Sequence, residues 1–311
     1  MKAVVCTGYG PPEVLELIEV EKPTPKKNEV CIKVVTTAVT ASDTNVRSAR
    51  IPIWTPVGFM MRVVLGFQRP RNPILGMVVA GEIESVGPDV QRFKKGDHVY
   101  GVTGIAFGNY AEYNCLSEDE VLVEKPTNIS FKDAAAIAYG ANLAGHFLAK
   151  GGIQKGDKVL VYGASGAIGT TAVQLAKHFG AEVTGVCSSR NIELIQSLGA
   201  DAVIDYTKDN RLPSGASYDF ILDAVGRSKR SKLKAQLKQA LTQDGKYISV
   251  DDGMPQSRIE YLLLLNELME AGTFKPIIDR CYPLEKIVEA HTYVDKGHKK
   301  GNVLITLDNE N

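Results

Sequence analysis

Lys158-Val-Leu-Val-Tyr-Gly-Ala-Ser-Gly-Ala-Ile-Gly-Thr170 joins an apolar run of strand length, Val159 to Tyr162, to a turn of small residues and the start of a helical pattern. The helix-compatible TTAVQLAKHF continues from Thr170 to Phe179. The spacing Ala164-x-Gly166-x-x-Gly169 suits a nucleotide-phosphate cradle. Small side chains let the backbone come close to a pyrophosphate, and the N–H groups and dipole at a helix start favour negative charge. Glycine turns before helices are common, so a turn with no ligand is the plain alternative. A second strand from Glu182 to Val186, where a βαβ unit requires one, favours the cradle. Its expected residues are Gly163, Ala164, Ser165, Gly166, Ala167, Ile168 and Gly169.

The end of that second strand discriminates between dinucleotides. NAD-binding units commonly place an acidic residue there, about 20 residues after the glycines, to hold the ribose 2′-hydroxyl. Here the place falls at Cys187, followed by Ser188, Ser189 and Arg190. Two hydroxyls and a guanidinium can bind and neutralise a 2′-phosphate where a carboxylate would repel it, so the expected cofactor is NADPH. The alternative is that Ser188 caps the next helix and Arg190 is merely solvated. Tyr206, Ala224 and Val225, at the ends of the two strands that follow, complete the expected cofactor-binding set.

Beyond the cradle, residues 1–125 read as β-rich and glycine-punctuated, with strand-like runs KAVVC, VCIKVVTTAV, VVAGEIESVG, DHVYGV and YAEYNCL. From Pro126 strands and helices alternate, VLVYG, EVTGV, AVIDY, FILDAVG and KYISV being the strands, which predicts a doubly wound parallel sheet over 126–274. Residues 275–311 return to short strands around one helix, Leu284 to Asp295, so the first domain is expected to be discontinuous. Lys plus Arg equals Asp plus Glu at 36 each, which removes any global electrostatic case for nucleic acid or an anionic surface. MKAVVCTGYG lacks the pattern of a signal peptide and no window offers about 18 consecutive apolar residues, so a cytoplasmic location is expected. The five cysteines, Cys6, Cys31, Cys115, Cys187 and Cys281, are scattered without a C-x-x-C and are expected to be reduced and mostly buried.

Four segments, GEIESVGPDVQRFKKGDHVYG, GNYAEYNCL, the Gly163–Gly169 loop with VQLAK, and YPLEKIVEAHTYVDKGHKKGNVLI, together resemble the medium-chain dehydrogenase/reductase superfamily, and specifically its zinc-free quinone oxidoreductase branch, which includes zeta-crystallin. The resemblance implies a Rossmann domain plus a discontinuous GroES-like catalytic domain. Zinc-dependent members carry a Cys near the first active-site turn and a Gly-His-Glu run; this chain has Thr40 at the first place and Gly76-Met77-Val78 at the second. The block of four cysteines that holds a structural zinc is absent as well, and tetrahedral zinc needs about four such ligands. The five histidines show no paired spacing and are expected at surface or capping positions. Without a Lewis acid a simple ketone is poorly polarised, whereas a quinone or α,β-unsaturated carbonyl delocalises the charge that hydride addition leaves. Hydride transfer from NADPH to such an acceptor is therefore expected, as the resemblance also implies. A 2-alkenal or enoyl-thioester reductase, or a non-catalytic NADPH-binding sensor, are the alternatives.

By position in the resemblance, Thr40 and Asp43 are expected near the nicotinamide, and Tyr139 is the candidate to donate a hydroxyl proton. Asp43 as a turn residue and Tyr139 as a packing residue stand against these roles. A frequent Leu-Thr-Ala of the family reads Asn142-Leu143-Ala144, which lacks the hydroxyl. Ile51 to Phe67, with the only tryptophan, is expected to pack or line a substrate pocket rather than meet a membrane. Arg227 to Lys238 is basic, but Leu233, Leu237 and Leu241 at helical spacing predict an amphipathic helix with a solvated basic face rather than a nucleic-acid patch. Relatives usually have a further helix and edge strand after the segment matching GKYISV. Here the chain runs almost directly into the last helix, so a monomer, or a dimer through the helical face Tyr261 to Leu265, is expected in place of the extended-sheet dimer.

Overall fold

The computed structural model describes residues 1–49, 55–209, 211–226, 231–253 and 255–307. The chain opens with β1 (Lys2–Cys6), β2 (Leu15–Glu19), β3 (Glu29–Val39), α1 (Ala41–Ser48), α2 (Pro56–Leu65), β4 (Val78–Val86), β5 (His98–Val102), β6 (Tyr113–Ser117), β7 (Val121–Glu124) and α3 (Phe131–Gly151). Strands and helices then alternate through β8 (Lys158–Tyr162), α4 (Ala167–His178), β9 (Glu182–Cys187), α5 (Ile192–Ser197), β10 (Ala202–Asp205), β11 (Tyr218–Asp223), β12 (Leu241–Ser249) and α6 (Ile259–Glu270). The described chain closes with β13 (Ile278–Pro283), α7 (Ile287–Asp295) and β14 (Asn302–Thr306). Two compact units result, Met1–Tyr139 with the residues from Ile278 onward, and Gly140–Ile277. The first division falls inside α3 and the second just before β13, against sequence-based boundaries after residues 125 and 274.

In the first unit β1 and β2 pair antiparallel, and a seven-stranded sheet runs β13-β14-β3-β4-β5-β7 with β6 attached to β3. Strand β3 has eleven residues and pairs with three neighbours, β14, β4 and β6, which is why its burial is almost continuous rather than alternating. One core of this unit joins Val4, Val39, Leu75 and Tyr110 to Ile287, Ala290 and Ile305, so the C-terminal residues complete the N-terminal core. In the second unit all five strands are parallel in the order β10-β9-β8-β11-β12, with β8 central. This is the doubly wound arrangement, in which ligands bind beyond the carboxyl ends of the strands where the order reverses beside β8. Among the described residues no helix is long and apolar enough to cross a membrane.

Three expectations need correction. Leu233, Leu237 and Leu241 do not share one α-helix: a 3-10 helix covers Lys234–Ala240 and Leu241 begins β12. Leu233 and Leu237 are buried as the pattern requires, but strand pairing of Leu241 with Tyr218 overrides the third repeat. Arg227 to Arg230 of the basic run lie outside the described residues. His291 is fully buried, not at the surface, and packs edge-on against Tyr110. In the segment Ile51 to Phe67, Ile51 to Trp54 lie outside the described residues, while Phe59, Met60, Val63, Val64 and Phe67 are exposed rather than packed. The spacing of Phe59, Met60, Val63 and Val64 puts them on one stripe of α2, and Phe67, beyond the helix end, sets its ring edge-on to Phe59 with centroids 6.2 Å apart.

Beyond β8 and β11 the sheet ends on a buried carboxylate. Asp223 is 1% exposed and accepts from Tyr247 Oη at 2.8 Å and from the Val225 and Gly226 N–H groups at 3.2 Å each. Lys234 Nζ lies 2.6 Å from its Oδ2. Removing the ammonium leaves a buried charge without its cation, which typically costs several kcal/mol. Lys234→Met is therefore expected to lower unfolding free energy by about 2–4 kcal/mol in a urea titration.

Candidate functional site

The predicted cradle forms as a strand–turn–helix. Gly163 has φ +82°, and a Cβ on it would stand 2.4 Å from Val225 Cγ2. At Gly169 a Cβ would meet Gly163 O at 2.3 Å and Ala164 Cα at 2.7 Å, so helix and turn touch through bare backbone. Gly166 differs: beside it the nearest atom a Cβ would meet is Gly163 O at 3.6 Å, leaving room on its outer side for another molecule's atoms. Gly166 is also the N-cap of α4 and offers no side chain to the first turn, so the helix-start N–H groups are not capped by it. Thr170 and Thr171 turn their hydroxyls back onto Gly166 O and Ala167 O and stabilise the turn from within. Ala164 is anchored by its N–H to Val186 O at 3.0 Å, and Ala224 by its N–H to Tyr162 O at 2.9 Å. Ser165, Ala167 and Ile168 lie in the same turn and first helical residues. A dinucleotide pyrophosphate fits this set: close backbone, open space at Gly166 and uncapped donors.

At the end of β9, Ser188 is buried and accepts from Asn191 Nδ2 at 3.3 Å, while Ser189 and Arg190 are exposed. Tyr206 is exposed as well, its N–H bonded to Cys187 O at 3.1 Å. Asp205, which sequence reasoning missed, ends the adjacent strand in register with Cys187. Its carboxylate accepts from the Ser189 hydroxyl and from the Thr207 hydroxyl at 2.6 Å and N–H at 2.9 Å. Burial tends to raise its pKa, yet the hydrogen bonds from Ser189 and Thr207 prevail and hold it below the usual carboxylate range. The signal for it was the Asp205-x-Thr207 spacing, an Asx-type turn on a strand end.

In the first unit Thr40 caps α1 and forms a capping box with Asp43: Thr40 Oγ1 accepts from Asp43 N–H at 3.2 Å, and Asp43 Oδ2 accepts from Thr40 N–H at 2.9 Å. Thr40 Oγ1 donates to Asp43 Oδ2 at 2.6 Å and Gly76 N–H donates to Oδ1 at 3.2 Å. Gly76 can do this because it has φ +98° and a Cβ there would strike Tyr110 Cδ1 at 2.7 Å. Tyr110 Oη in turn lies 3.2 Å from His291 Nε2. Burial, helped by Arg47, lowers His291 to about 3, so the ring is neutral. Tyr139 Oη lies 2.9 Å from Ser42 Oγ. Burial raises Tyr139 to about 12, against the lowering influence of Ser42 and Thr40. The structure thus brings Thr40, Asp43 and Tyr139 together and adds Ser42, Tyr110 and His291, which no local pattern marked. Asn142 is buried and accepts from Arg258 N–H at 2.9 Å.

Burial raises Asp43 from 3.8 to about 6, outweighing its hydrogen bonds. The folded state therefore holds this proton more tightly than the unfolded chain. Its contribution to stability is full below about 3.8 and is lost as pH rises through about 6, roughly 3 kcal/mol in all. Between pH 4 and pH 7, wild-type protein should lose about 2–3 kcal/mol relative to Asp43→Asn in parallel urea titrations. A constant difference between the two proteins across that range would show that Asp43 ionises normally.

The zinc ligands of dehydrogenases do not fit here. At the places where the resemblance implies thiolate and imidazole the chain has Thr40 and Met77, and among the described residues no group of three His, Cys, Asp or Glu could hold a metal ion.

Family profiles match "Alcohol dehydrogenase GroES-like domain" over residues 26–127 and "Zinc-binding dehydrogenase" over 167–272 and 257–305. The chain is 34% identical to a 2-methylene-furan-3-one reductase of Solanum lycopersicum, covering 98% of this chain and 79% of that protein. It is 31% identical to a chloroplast envelope quinone oxidoreductase homolog of Arabidopsis thaliana over 98% of both. The solved quinone oxidoreductase from Coxiella burnetii superposes with a TM-score of 0.86 at 27% identity over 99% of each chain. The chain belongs to the medium-chain dehydrogenase/reductase superfamily, in its quinone oxidoreductase-like branch. It is an oxidoreductase of that kind, with a Rossmann unit for a nicotinamide cofactor and a GroES-like unit.

Proposed function

We propose that the protein reduces a quinone or an α,β-unsaturated carbonyl with NADPH and without zinc. The observation that carries this reading is the hydroxyl–carboxylate cluster of buried Thr40, Asp43 and Tyr139 with half-buried Ser42, at the turn where, by the resemblance, zinc-dependent members carry a Cys ligand. Bound NADPH would supply the hydride. The cradle Gly163 to Gly169 would hold its pyrophosphate, with Ala224 and Val225 beside the turn and Tyr206 at the end of β10. Ser188, Ser189 and Arg190 would meet the 2′-phosphate. Tyr139, a neutral hydroxyl at working pH, would donate a hydrogen bond and then a proton to the oxygen where charge develops. Thr40 would receive the Tyr139 side of the network and pass it to Asp43, which keeps the hydroxyls oriented. The exposed stripe Phe59, Met60, Val63, Val64 and Phe67 would offer apolar surface to the acceptor ring. Relatives named as 2-methylene-furan-3-one reductase, NADPH-dependent alkenal/one oxidoreductase and quinone oxidoreductase support conjugated acceptors and leave the 2-alkenals as the second reading.

The test is NADPH oxidation by chelator-treated protein against a quinone, a 2-alkenal, a simple ketone, and an alcohol with NADP. Turnover on the conjugated acceptors alone, with chelator present, is expected. Turnover that needs added zinc, or that extends to the simple ketone, would overturn the proposal, and tight NADPH binding with no turnover would make the protein a cofactor-binding sensor.

A further inference from the structure

We propose that Cys31 and Cys115 form a dithiol site that a hydroperoxide oxidises to a disulfide, joining β3 to β6 without rearranging either strand. The inference is independent of the acceptor proposed above.

The two residues stand directly opposite each other in the antiparallel ladder. Val34 N–H donates to Glu112 O, and Glu118 N–H donates to Asn28 O, which makes 34/112 and 28/118 hydrogen-bonded pairs of that ladder. Hydrogen-bonded and non-hydrogen-bonded pairs alternate along antiparallel strands. Cys31 and Cys115 lie three positions from each of those pairs and so form a pair of the second kind. Side chains approach most closely in such pairs, with Cα atoms about 4.5 Å apart. A disulfide is formed at Cα separations of about 4.4–6.8 Å, so the backbone already has the required spacing.

Chemistry at the pair agrees with its geometry. Cys31 Sγ donates to Pro23 O at 3.9 Å, and the neighbouring Cys115 thiol, ahead of the opposing effect of burial and with help from Lys22, lowers Cys31 from 9.0 to about 7. The Cys31 thiol, followed by burial, raises Cys115, so the pair gives up one proton readily and keeps the other. Lys22 is fixed nearby, with Nζ 3.8 Å from the Tyr113 ring centroid and paired to Glu84. Cys31 is fully buried, whereas Cys115 is partly exposed and is the sulfur an oxidant reaches. Transfer of the retained proton from Cys115 to the facing Cys31 sulfur places the negative charge on Cys115.

The Cys115 thiolate then attacks a peroxide oxygen: the S–O bond forms, the O–O bond breaks and hydroxide leaves. Cys31 next gives its electron pair to the sulfenic sulfur, the S–S bond forms and a second hydroxide leaves. With the two thiol protons, two thiols and one hydrogen peroxide yield one disulfide and two waters. The sulfurs lose two electrons and the peroxide gains them.

The full-length Cys281→Ser protein, which lacks the exposed thiol, is treated with hydrogen peroxide and digested without reduction. One peptide pair joined through Cys31 and Cys115 is expected, with two thiols lost together and recovered with dithiothreitol, while buried Cys6 and Cys187 keep theirs. In a Cys31→Ser variant of the same protein, Cys115 should stop at the sulfenic acid and be captured by dimedone. The proposal is overturned if Cys115 proceeds to sulfinic acid while Cys31 stays free. It is equally overturned if neither reacts at a peroxide dose that consumes Cys281 in the unsubstituted protein.

Discussion

Tyr139→Phe is expected to lower kcat on a conjugated carbonyl by roughly 10²–10⁴-fold, the usual contribution of a positioned general acid, with KM almost unchanged. Tyr139 is a neutral donor because burial, its largest influence, lifts it to about 12 even though Ser42 and Thr40 act to lower it. Ser42 lies 2.9 Å away and can orient the hydroxyl, so Ser42→Ala should give a smaller loss in the same direction. A packing role predicts otherwise: removing one oxygen from a buried ring would move the melting temperature and leave kcat alone. Stopped-flow turnover with saturating NADPH, beside a melting curve, separates the two outcomes. An unchanged kcat would assign the proton to water.

What the sequence revealed and what it concealed divide by distance along the chain. The Gly163 to Gly169 turn was legible because strand, turn and helix are consecutive, and the close contacts that demand glycine are local or one strand away. The capping box of Thr40 and Asp43 was equally local, three residues apart, although its spacing does not say that the carboxylate is fully buried. The groups around it include the Gly76 N–H, which bonds the carboxylate, and Tyr110, which lies against His291; all are far along the chain and no segment near Asp43 announces them. That long-range neighbourhood sets the acidity of Asp43, and therefore its chemistry, beyond anything a motif can state. Asp205 was hidden for the same reason, since parallel pairing with β9 sets it beside the loop at Ser188 to Arg190. Leucine spacing failed at Leu241 because a helical repeat and a strand start share the same residue type, and β-pairing with Tyr218 decides between them.

The expected preference for NADPH is decided where two opposite charges compete. Arg190 is exposed and has its guanidinium available for a phosphate dianion, while the carboxylate of Asp205 lies next to Ser189 on the neighbouring strand. Left free, that carboxylate would accept a ribose hydroxyl and favour NADH. Ser189 and Thr207 instead occupy its oxygens, so less of its lone-pair capacity faces outward. A hydrogen bond to a charged group contributes about 1.5–3 kcal/mol, so Arg190→Ala should reduce kcat/KM for NADPH by about 10–100-fold. Values for NADH should hardly move, because no phosphate contact is lost. Ser189→Ala should act on the other arm, releasing Asp205 and raising kcat/KM for NADH. If Arg190→Ala weakens both cofactors equally, the guanidinium serves the fold rather than the 2′-phosphate, and the carboxylate of Asp205 becomes the specificity element.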